Sequence, residues 1–218
     1  IIGEPTGLRP VRMHKGIFME GIRLIGRSGH SSDPSLGNNA LEGMHRVISD
    51  LLRWREEWRE KYHNPAFNIP IPTLNLGHIH GGDSPNRICA HSELQFDLRI
   101  IPGLNTDLIT GRIQSLCQQE SELSGLQVTW EPLMDPVPPF EENADSALVR
   151  LAETLTDANA ASALFATEAG FFKALGAQAI VMGPGSIDLA HQPNEYLAFD
   201  QINPCISLLR QTIKHYCL

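Results

Sequence analysis

With 218 residues, 42% of them hydrophobic, the chain can bury a full core and suits one large domain or two small ones. A formal net charge of −8 with no cluster of Lys and Arg argues against nucleic acid as a partner and favours a small-molecule role. No apolar run approaches the roughly 20 residues of a membrane helix, and the opening IIGEPTGLRP lacks the features of a signal peptide, so the expectation is a cytoplasmic protein that does not engage a membrane.

In chain order, Ile1-Ile2-Gly3 reads as the end of a buried strand. Regular patterning starts at Gly16, where IFMEGIRLIG has strand character and is followed by the loop GRSGHSSDPSLGNN. Asn38 or Asn39 can cap a helix in which Leu41, Met44, Val47, Ile48, Leu51 and Leu52 recur at helical spacing through about Tyr62. Its charged later turns, with Trp54 and Trp58 four residues apart, suggest a partly exposed helix. After the proline-rich NPAFNIPIP, TLNLGHIHGG and HSELQFDLRII each alternate as strands, separated by the turn residues GGDSPN, and predict an antiparallel pair. Residues 105–123 form an amphipathic helix begun by Asn105 or Thr106, and LQVTWEPL adds a strand. The order β-α-β-β-α-β predicts a ferredoxin-like split βαβ unit within residues 16–139.

MDPVPPFEEN reads as a proline-rich boundary. Beyond it the rhythm becomes helix (144–156), short strand, helix (168–175), strand QAIVMGPG, loop and a final helix from about Asp200, which is a piece of an α/β layer. The economical reading is an inserted unit, residues 16–139, in a larger α/β domain whose edges are residues 1–15 and 140–218.

Two loops after apparent strands, GEPT (3–6) and GPGSIDLAHQPNEY (183–196), lie where open α/β sheets gather ligands. Each offers one metal-binding side chain, Glu4 and His191. Carboxylate oxygen and imidazole nitrogen suit zinc, but a catalytic zinc ordinarily takes three protein ligands, so as a bare pair they fit structural roles as well. His78 and His80 share a strand face without a nearby carboxylate and read as packed or exposed residues rather than ligands. Glu56-Glu57 on a charged helical face and Glu141-Glu142 after Pro138-Pro139 both read as solvated pairs. Cys89, Cys117, Cys205 and Cys217 are far apart and form no CxxC pair, so they read as buried or bystander thiols. Asn86 in the SPNR turn and Arg99 at a strand end have ordinary structural readings, a turn residue and a cross-strand ion pair.

The strings IIGEPT, HKG (14–16), GRSGHSSDPSLGNNA, PTLNLGHIHGGDSPNRICA, ELQFDLR, ATEAGFF and GPGSIDLAHQPNEY, in this order, resemble the family of dinuclear zinc aminoacylases and peptidases that includes succinyl-diaminopimelate desuccinylase and glutamate carboxypeptidase. GHSSDP together with AHQPNEY resembles its deacetylase branch. The resemblance runs essentially end to end and corresponds to the carboxy-terminal part of such an enzyme.

It implies that residues 16–139 are a lid and dimerisation domain, and that residues 1–15 and 140–218 are parts of a zinc-peptidase-like catalytic domain. Glu4 would then be a terminal ligand to one metal and His191 a ligand to the other, zinc or cobalt, with no organic cofactor such as glutathione. The family's His-x-Asp motif, bridging aspartate and adjacent Glu-Glu pair precede GEPT, and no His-x-Asp occurs in this sequence, so the chain alone is expected to be inactive. His30 would reach the partner subunit's site and donate to the scissile carbonyl oxygen, making a homodimer part of catalysis. Arg99 and Asn86 would face the site from the lid, Arg99 clasping a substrate carboxylate. Thr167 and Glu168 would lie on the substrate side, Glu168 pairing with an ammonium group, and Lys15 would be a basic contact at the hinge. The implied reaction is deacetylation of N2-acetyl-L-ornithine in arginine biosynthesis. A related desuccinylase or aminoacylase, or a non-catalytic dimerisation module, are the alternatives.

Overall fold

The computed structural model describes residues 1–218. In chain order the elements are β1 (Val11–His14), β2 (Gly16–Ile25), α1 (Ala40–Lys61), β3 (Thr73–Gly81), β4 (His91–Ile100), α2 (Thr106–Ser124), β5 (Gln127–Pro132), β6 (Phe140–Glu141), α3 (Ala147–Thr156), β7 (Ala161–Ala163), α4 (Ala169–Ala174) and α5 (Ile202–Cys217). They fall into two units, one of residues Ile17–Pro65 and Ile69–Pro136, the other of Ile1–Gly16, Ala66–Asn68 and Val137–Leu218.

The central unit is a four-stranded sheet in the order β3-β4-β2-β5 with α1 and α2. Period-two alternation decides which residues enter its core. Phe18, Ile22 and Leu24 of β2 and Leu94, Phe96, Leu98 and Ile100 of β4 are buried, and so are Met44, Val47, Leu51, Trp54 and Trp58 of α1 and Ile109, Ile113 and Leu116 of α2. Each large apolar side chain in this cluster contributes about 1.5–3 kcal/mol by leaving water. β3 pairs antiparallel with β4, and β2 with β5, where Ile22 faces Trp130. A bulge between Leu76 and His78 shifts the register of β3. His78 and His80 both lie exposed beyond it.

Helix ends follow from side chains the sequence supplies. Asn39 caps α1, its side-chain oxygen accepting from the Leu41 N–H at 3.0 Å. Asn38, the other candidate, donates instead to the Ser124 carbonyl at 2.9 Å and ties the start of α1 to the end of α2. Asn105 caps α2 by accepting from the Asp107 N–H at 2.7 Å, and Gly125, at φ 69°, closes it in the left-handed conformation that suits glycine. The guanidinium of Arg112 stacks on Trp54, 4.6 Å from the ring centre, and pairs with Glu57. The charged turns of α1 therefore stay solvated on one side while both indoles are covered on the other.

One residue breaks the alternation in chemistry but not in geometry. Glu20 sits on the core face of β2 between Phe18 and Ile22, and its carboxylate accepts from the indole N–H of Trp130 at 2.6 Å. Burial pushes its pKa up, and the Trp130 bond only partly offsets that.

The second unit is built around β1, the middle strand of a three-stranded sheet ordered β6-β1-β7. β6 pairs antiparallel, His14 opposite Phe140, and β7 pairs parallel, Val11 opposite Ala161. Neither β1 nor β6 stands out in the sequence, because both are short and a proline run precedes β6. The strand expected at QAIVMGPG is realised only as single bridges. Val181 bonds to Val11 in both directions at 2.8 and 2.9 Å, and Ile2 bonds to Ile180 and Met182 at 2.8 and 2.9 Å. Gly183 ends the run. A Cβ there would stand 2.6 Å from the Glu4 carbonyl oxygen, so only glycine lets the two loops close. Ile2, Val11, Phe140, Ala163, Ala169, Ala179 and Val181 form the local core.

The Glu141-Glu142 pair needs correcting. Glu141 is at the surface, but Glu142 is buried, because the extended backbone that turns Phe140 inward turns residue 142 inward too. Its carboxylate accepts from Lys173 Nζ at 2.9 Å, the Ala179 N–H at 3.1 Å and the Asn143 N–H at 3.0 Å. These bonds join α4 to the segment that carries Val181.

Candidate functional site

The loop Gly3–Leu8 and the loop that begins at Gly183 are stitched together by main-chain bonds. Leu8 N–H donates to the Gly183 carbonyl at 2.9 Å and Gly7 N–H to the Gly185 carbonyl at 2.7 Å. Glu4 projects from the first loop, half-buried, and its pKa is raised, first by burial and then by the nearby charge of Glu168. Glu4 and Glu168, far apart in sequence, therefore lie near enough for the charge of one to act on the other. His191 stands on the second loop, exposed and at φ 61°, in the left-handed region unusual for a residue with a Cβ. Its N–H donates to the Glu195 carboxylate at 3.2 Å, which helps hold that conformation.

Behind Glu168 lies a residue that the sequence marked only as part of the HKG string, with no role. His14, at the end of β1, is fully buried. Its Nδ1 is 2.9 Å from the Lys15 carbonyl oxygen, and its Nε2 is 3.2 Å from the Thr167 N–H and 3.1 Å from the Thr167 hydroxyl. Burial pushes its pKa below the ordinary value despite these bonds and the charge of Glu168. Thr167 is buried and Glu168 exposed, which presents a carboxylate on a fixed base. Lys15 is also buried, its ammonium 5.9 Å from the centre of the Phe67 ring, and burial lowers its pKa. The sequence signal that could have revealed His14 is its place in the HKG string, just before the strand that opens at Gly16.

Three further candidates belong to the central unit. His30 is on an exposed loop, and its Nδ1 accepts from the Ser32 N–H at 3.2 Å and lies 2.7 Å from the Ser32 hydroxyl. A ring nitrogen that accepts from an N–H carries no proton, so the neutral ring keeps its proton on Nε2, which is left as an outward donor. Asn86 is on the adjoining loop, where its carbonyl accepts from the Ser31 N–H at 3.1 Å and its side-chain oxygen from the Ser84 hydroxyl at 2.6 Å. Arg99, on the polar face of β4, pairs through Nε with Asp97 at 2.8 Å along the same strand. That bond leaves its two Nη groups as the edge suited to a carboxylate.

No group of three or more His, Cys, Asp or Glu side chains is arranged to hold a metal ion. A catalytic zinc takes three protein ligands, so Glu4 and His191 do not make a metal centre by themselves.

Glu142 underpins this region, and its effect on stability can be predicted. Burial alone would raise its pKa, but the bonds from Lys173, Ala179 and Asn143 outweigh burial and leave it below the usual carboxylate range. A folded-state pKa below the unfolded one gives stability that is complete above the unfolded value, near pH 4.3, and is lost as pH falls through the folded value. Glu142→Gln is expected to lose about 2 kcal/mol at pH 7, since one amide cannot satisfy three donors. Urea unfolding from pH 7 to pH 3 should show the gap between the two proteins closing in acid. A gap independent of pH would rule this account out.

Comparison with known proteins places the chain in a family. Residues 12–123 match the peptidase dimerisation domain family. Over all of its length the chain is 49% identical to the acetylornithine deacetylase of Edwardsiella ictaluri and 47% identical to that of Vibrio vulnificus. It covers 56% and 57% of those proteins, so it spans a little over half of the curated relatives it matches. Among solved structures it is similar to a tripeptidase from Staphylococcus aureus (TM-score 0.67, 19% identity, 98% of this chain and 54% of that one). It is likewise similar to an aminopeptidase from Bacillus cereus (TM-score 0.69, 15% identity, 95% and 53%). At such identities the likeness concerns the fold. With the family match extending over half of its residues and with deacetylases similar to it from end to end, the chain belongs to the peptidase dimerisation domain family.

Proposed function

We propose that this chain supplies the lid and dimerisation domain, together with one edge of the catalytic domain, of a metal-dependent amide hydrolase. Its reaction is deacetylation of N2-acetyl-L-ornithine to ornithine and acetate, a step of arginine biosynthesis. The observation that carries the reading is identity near one half, along the whole chain, to proteins named acetylornithine deacetylase. The division into a lid, residues 16–139, and catalytic-domain parts, residues 1–15 and 140–218, is supported by the separate cores of the two units. Strand order β3-β4-β2-β5 supports reading the lid as a ferredoxin-like split βαβ unit.

In this reading each polar group of the substrate has a partner of matching chemistry. The Nη edge of Arg99 takes the carboxylate, with Asn86 beside it, and Glu168, on the substrate side with the buried Thr167, serves the side-chain ammonium. Lys15 lines the hinge. The outward Nε2–H of His30 donates to the scissile carbonyl oxygen in the partner subunit, where negative charge develops as the amide is attacked. Glu4 and His191 each give one ligand to a centre of two divalent metals, zinc or cobalt, whose remaining ligands and general base the chain does not hold. The chain alone is therefore inactive. Large apolar side chains left at the surface of the second unit, Leu175 and Phe199 among them, support the view that more protein covers it.

A homodimer forms through the central unit. The support is an apolar stripe along α1, Leu41, Ile48 and Leu52, beside the free edge of β3, where Ile79 is 55% exposed.

Activity can be tested by joining this chain to the amino-terminal region of the Edwardsiella ictaluri protein. The expected result is a kcat/KM for N2-acetyl-L-ornithine at least about tenfold above that for N-succinyl-diaminopimelate, with neither substrate turned over by the unjoined chain. A reversed preference, or full activity without the added region, would overturn the proposal.

A further inference from the structure

We infer that His14 is a positioning residue, whose neutral imidazole with its proton on Nδ1 latches the Thr167–Glu168 corner and so fixes where the Glu168 carboxylate stands. The inference rests on the reading of Glu168 as the partner of the substrate's ammonium group.

The hydrogen-bond pattern admits one state of the ring. Nδ1 faces the Lys15 carbonyl oxygen at 2.9 Å, and a carbonyl can only accept, so Nδ1 carries a proton. Nε2 faces the Thr167 N–H at 3.2 Å, and an N–H can only donate, so Nε2 carries none. The Thr167 hydroxyl, 3.1 Å from the same nitrogen, can donate to it as well. That hydroxyl in turn accepts from the Ala169 N–H at 3.1 Å. One ring therefore fixes the main chain before Glu168 directly and the main chain after it through one hydroxyl. An imidazolium would turn a second N–H on the Thr167 N–H and break the contact. Burial, which lowers the pKa, works in the same direction.

The other side of the ring is equally constrained. His14 lies 5.4 Å from the ring of Phe140, centre to centre, and its strand is held between β6 and β7. Glu168 occupies the cap position of α4 but makes no side-chain cap bond. Its carboxylate is thus not engaged by its own helix and is presented outward on a corner that His14 holds still. A carboxylate fixed in this way loses less conformational freedom on meeting a cation than one on a mobile loop.

The test uses the full chain with 15N-labelled histidine, and ornithine as the cationic probe. The wild-type spectrum at pH 8 should show His14 as a neutral Nδ1–H ring. Ornithine added to millimolar concentration should shift the Glu168 amide in a saturable way. His14→Leu should weaken that binding by roughly fivefold, as expected if a loosened corner holds Glu168 correctly a fifth of the time. His14→Gln, whose amide oxygen can accept from the Thr167 N–H, should restore it to within about twofold. Should His14→Leu not fold, Thr167→Val decides, since it removes only the hydroxyl of the latch. It should move the Nε2 resonance and weaken binding. A wild-type ring protonated on Nε2, or unchanged ornithine binding in folded His14→Leu and Thr167→Val, would overturn the inference. Glu168→Gln separates the two readings. If it binds ornithine as tightly as the wild type, the ammonium reading of Glu168 fails, while the tautomer spectrum still decides the latch.

Discussion

Replacing Arg46 with alanine is expected to cost about 3 kcal/mol of folding stability, a shift of more than a hundredfold in the folded-to-unfolded ratio. Arg46 of α1 grips the Glu120 carboxylate of α2 with three hydrogen bonds, Nε to both oxygens at 3.2 and 2.9 Å and one Nη at 2.7 Å. The side chain of Glu120 is only 4% exposed. The cost comes less from lost attraction than from what stays behind, a carboxylate in a place where water has little access. Gly43 is part of the design, because a Cβ there would lie 2.9 Å from the Glu120 carboxylate and 2.4 Å from Leu126. Replacing both partners with leucine should recover most of the loss, since two apolar groups leave no charge to solvate. Urea unfolding of the wild type, the single variant and the double variant would decide. A loss under about 1 kcal/mol for Arg46→Ala would place this pair with ordinary surface ion pairs.

Ile79→Glu is expected to convert the proposed homodimer to monomer, raising the dissociation constant by a hundredfold or more. In a two-fold dimer every interface residue occurs twice, so one substitution removes two apolar anchors and inserts two carboxylates related by symmetry. At about 1.5–2 kcal/mol for each buried isoleucine, the apolar loss alone reaches roughly 3–4 kcal/mol, and desolvating the new charges adds to it. Ile79 already faces solvent in the isolated unit, so the fold itself should tolerate the change. Sedimentation velocity at tens of micromolar should show the wild type as a dimer and the variant as a monomer, with unchanged thermal unfolding when both are compared as monomers. A wild type that is monomeric at that concentration would remove the support for association through α1 and β3.

Much of the central unit was legible in the sequence because its information is local. The apolar positions of α1 repeat at helical spacing and those of β4 alternate strictly, so both elements and the faces they bury follow from periodicity. The cap of α1 was narrowed to two asparagines, and choosing between them took tertiary structure. Asn38 is drawn away by the Ser124 carbonyl at the far end of α2, a residue 86 positions along the chain. β1 and β6 were missed for the opposite reason. Strands of four and two residues hold too few alternations to register as a pattern, and they exist because each pairs with the other. The expected QAIVMGPG strand failed in the same way, since it has only Ile2 and Val11 to pair with and Gly183 stops it.

The candidate site divides along the same line. Glu4, His191, His30, Asn86, Arg99, Thr167 and Glu168 were all marked by their motifs, which say what kind of group stands in each loop. The motifs did not say which of these groups meet. That Glu168 raises the pKa of Glu4, that His14 clasps Thr167, and that Glu142 is buried beneath Lys173 rather than solvated depend on contacts between residues more than 30 positions apart. Sequence by itself determined where the apolar faces lie and where Glu4 and His191 stand on their loops. Burial of a polar side chain is settled by whatever distant segment supplies its hydrogen-bond partner, and only the tertiary structure decided that for His14, Glu120 and Glu142.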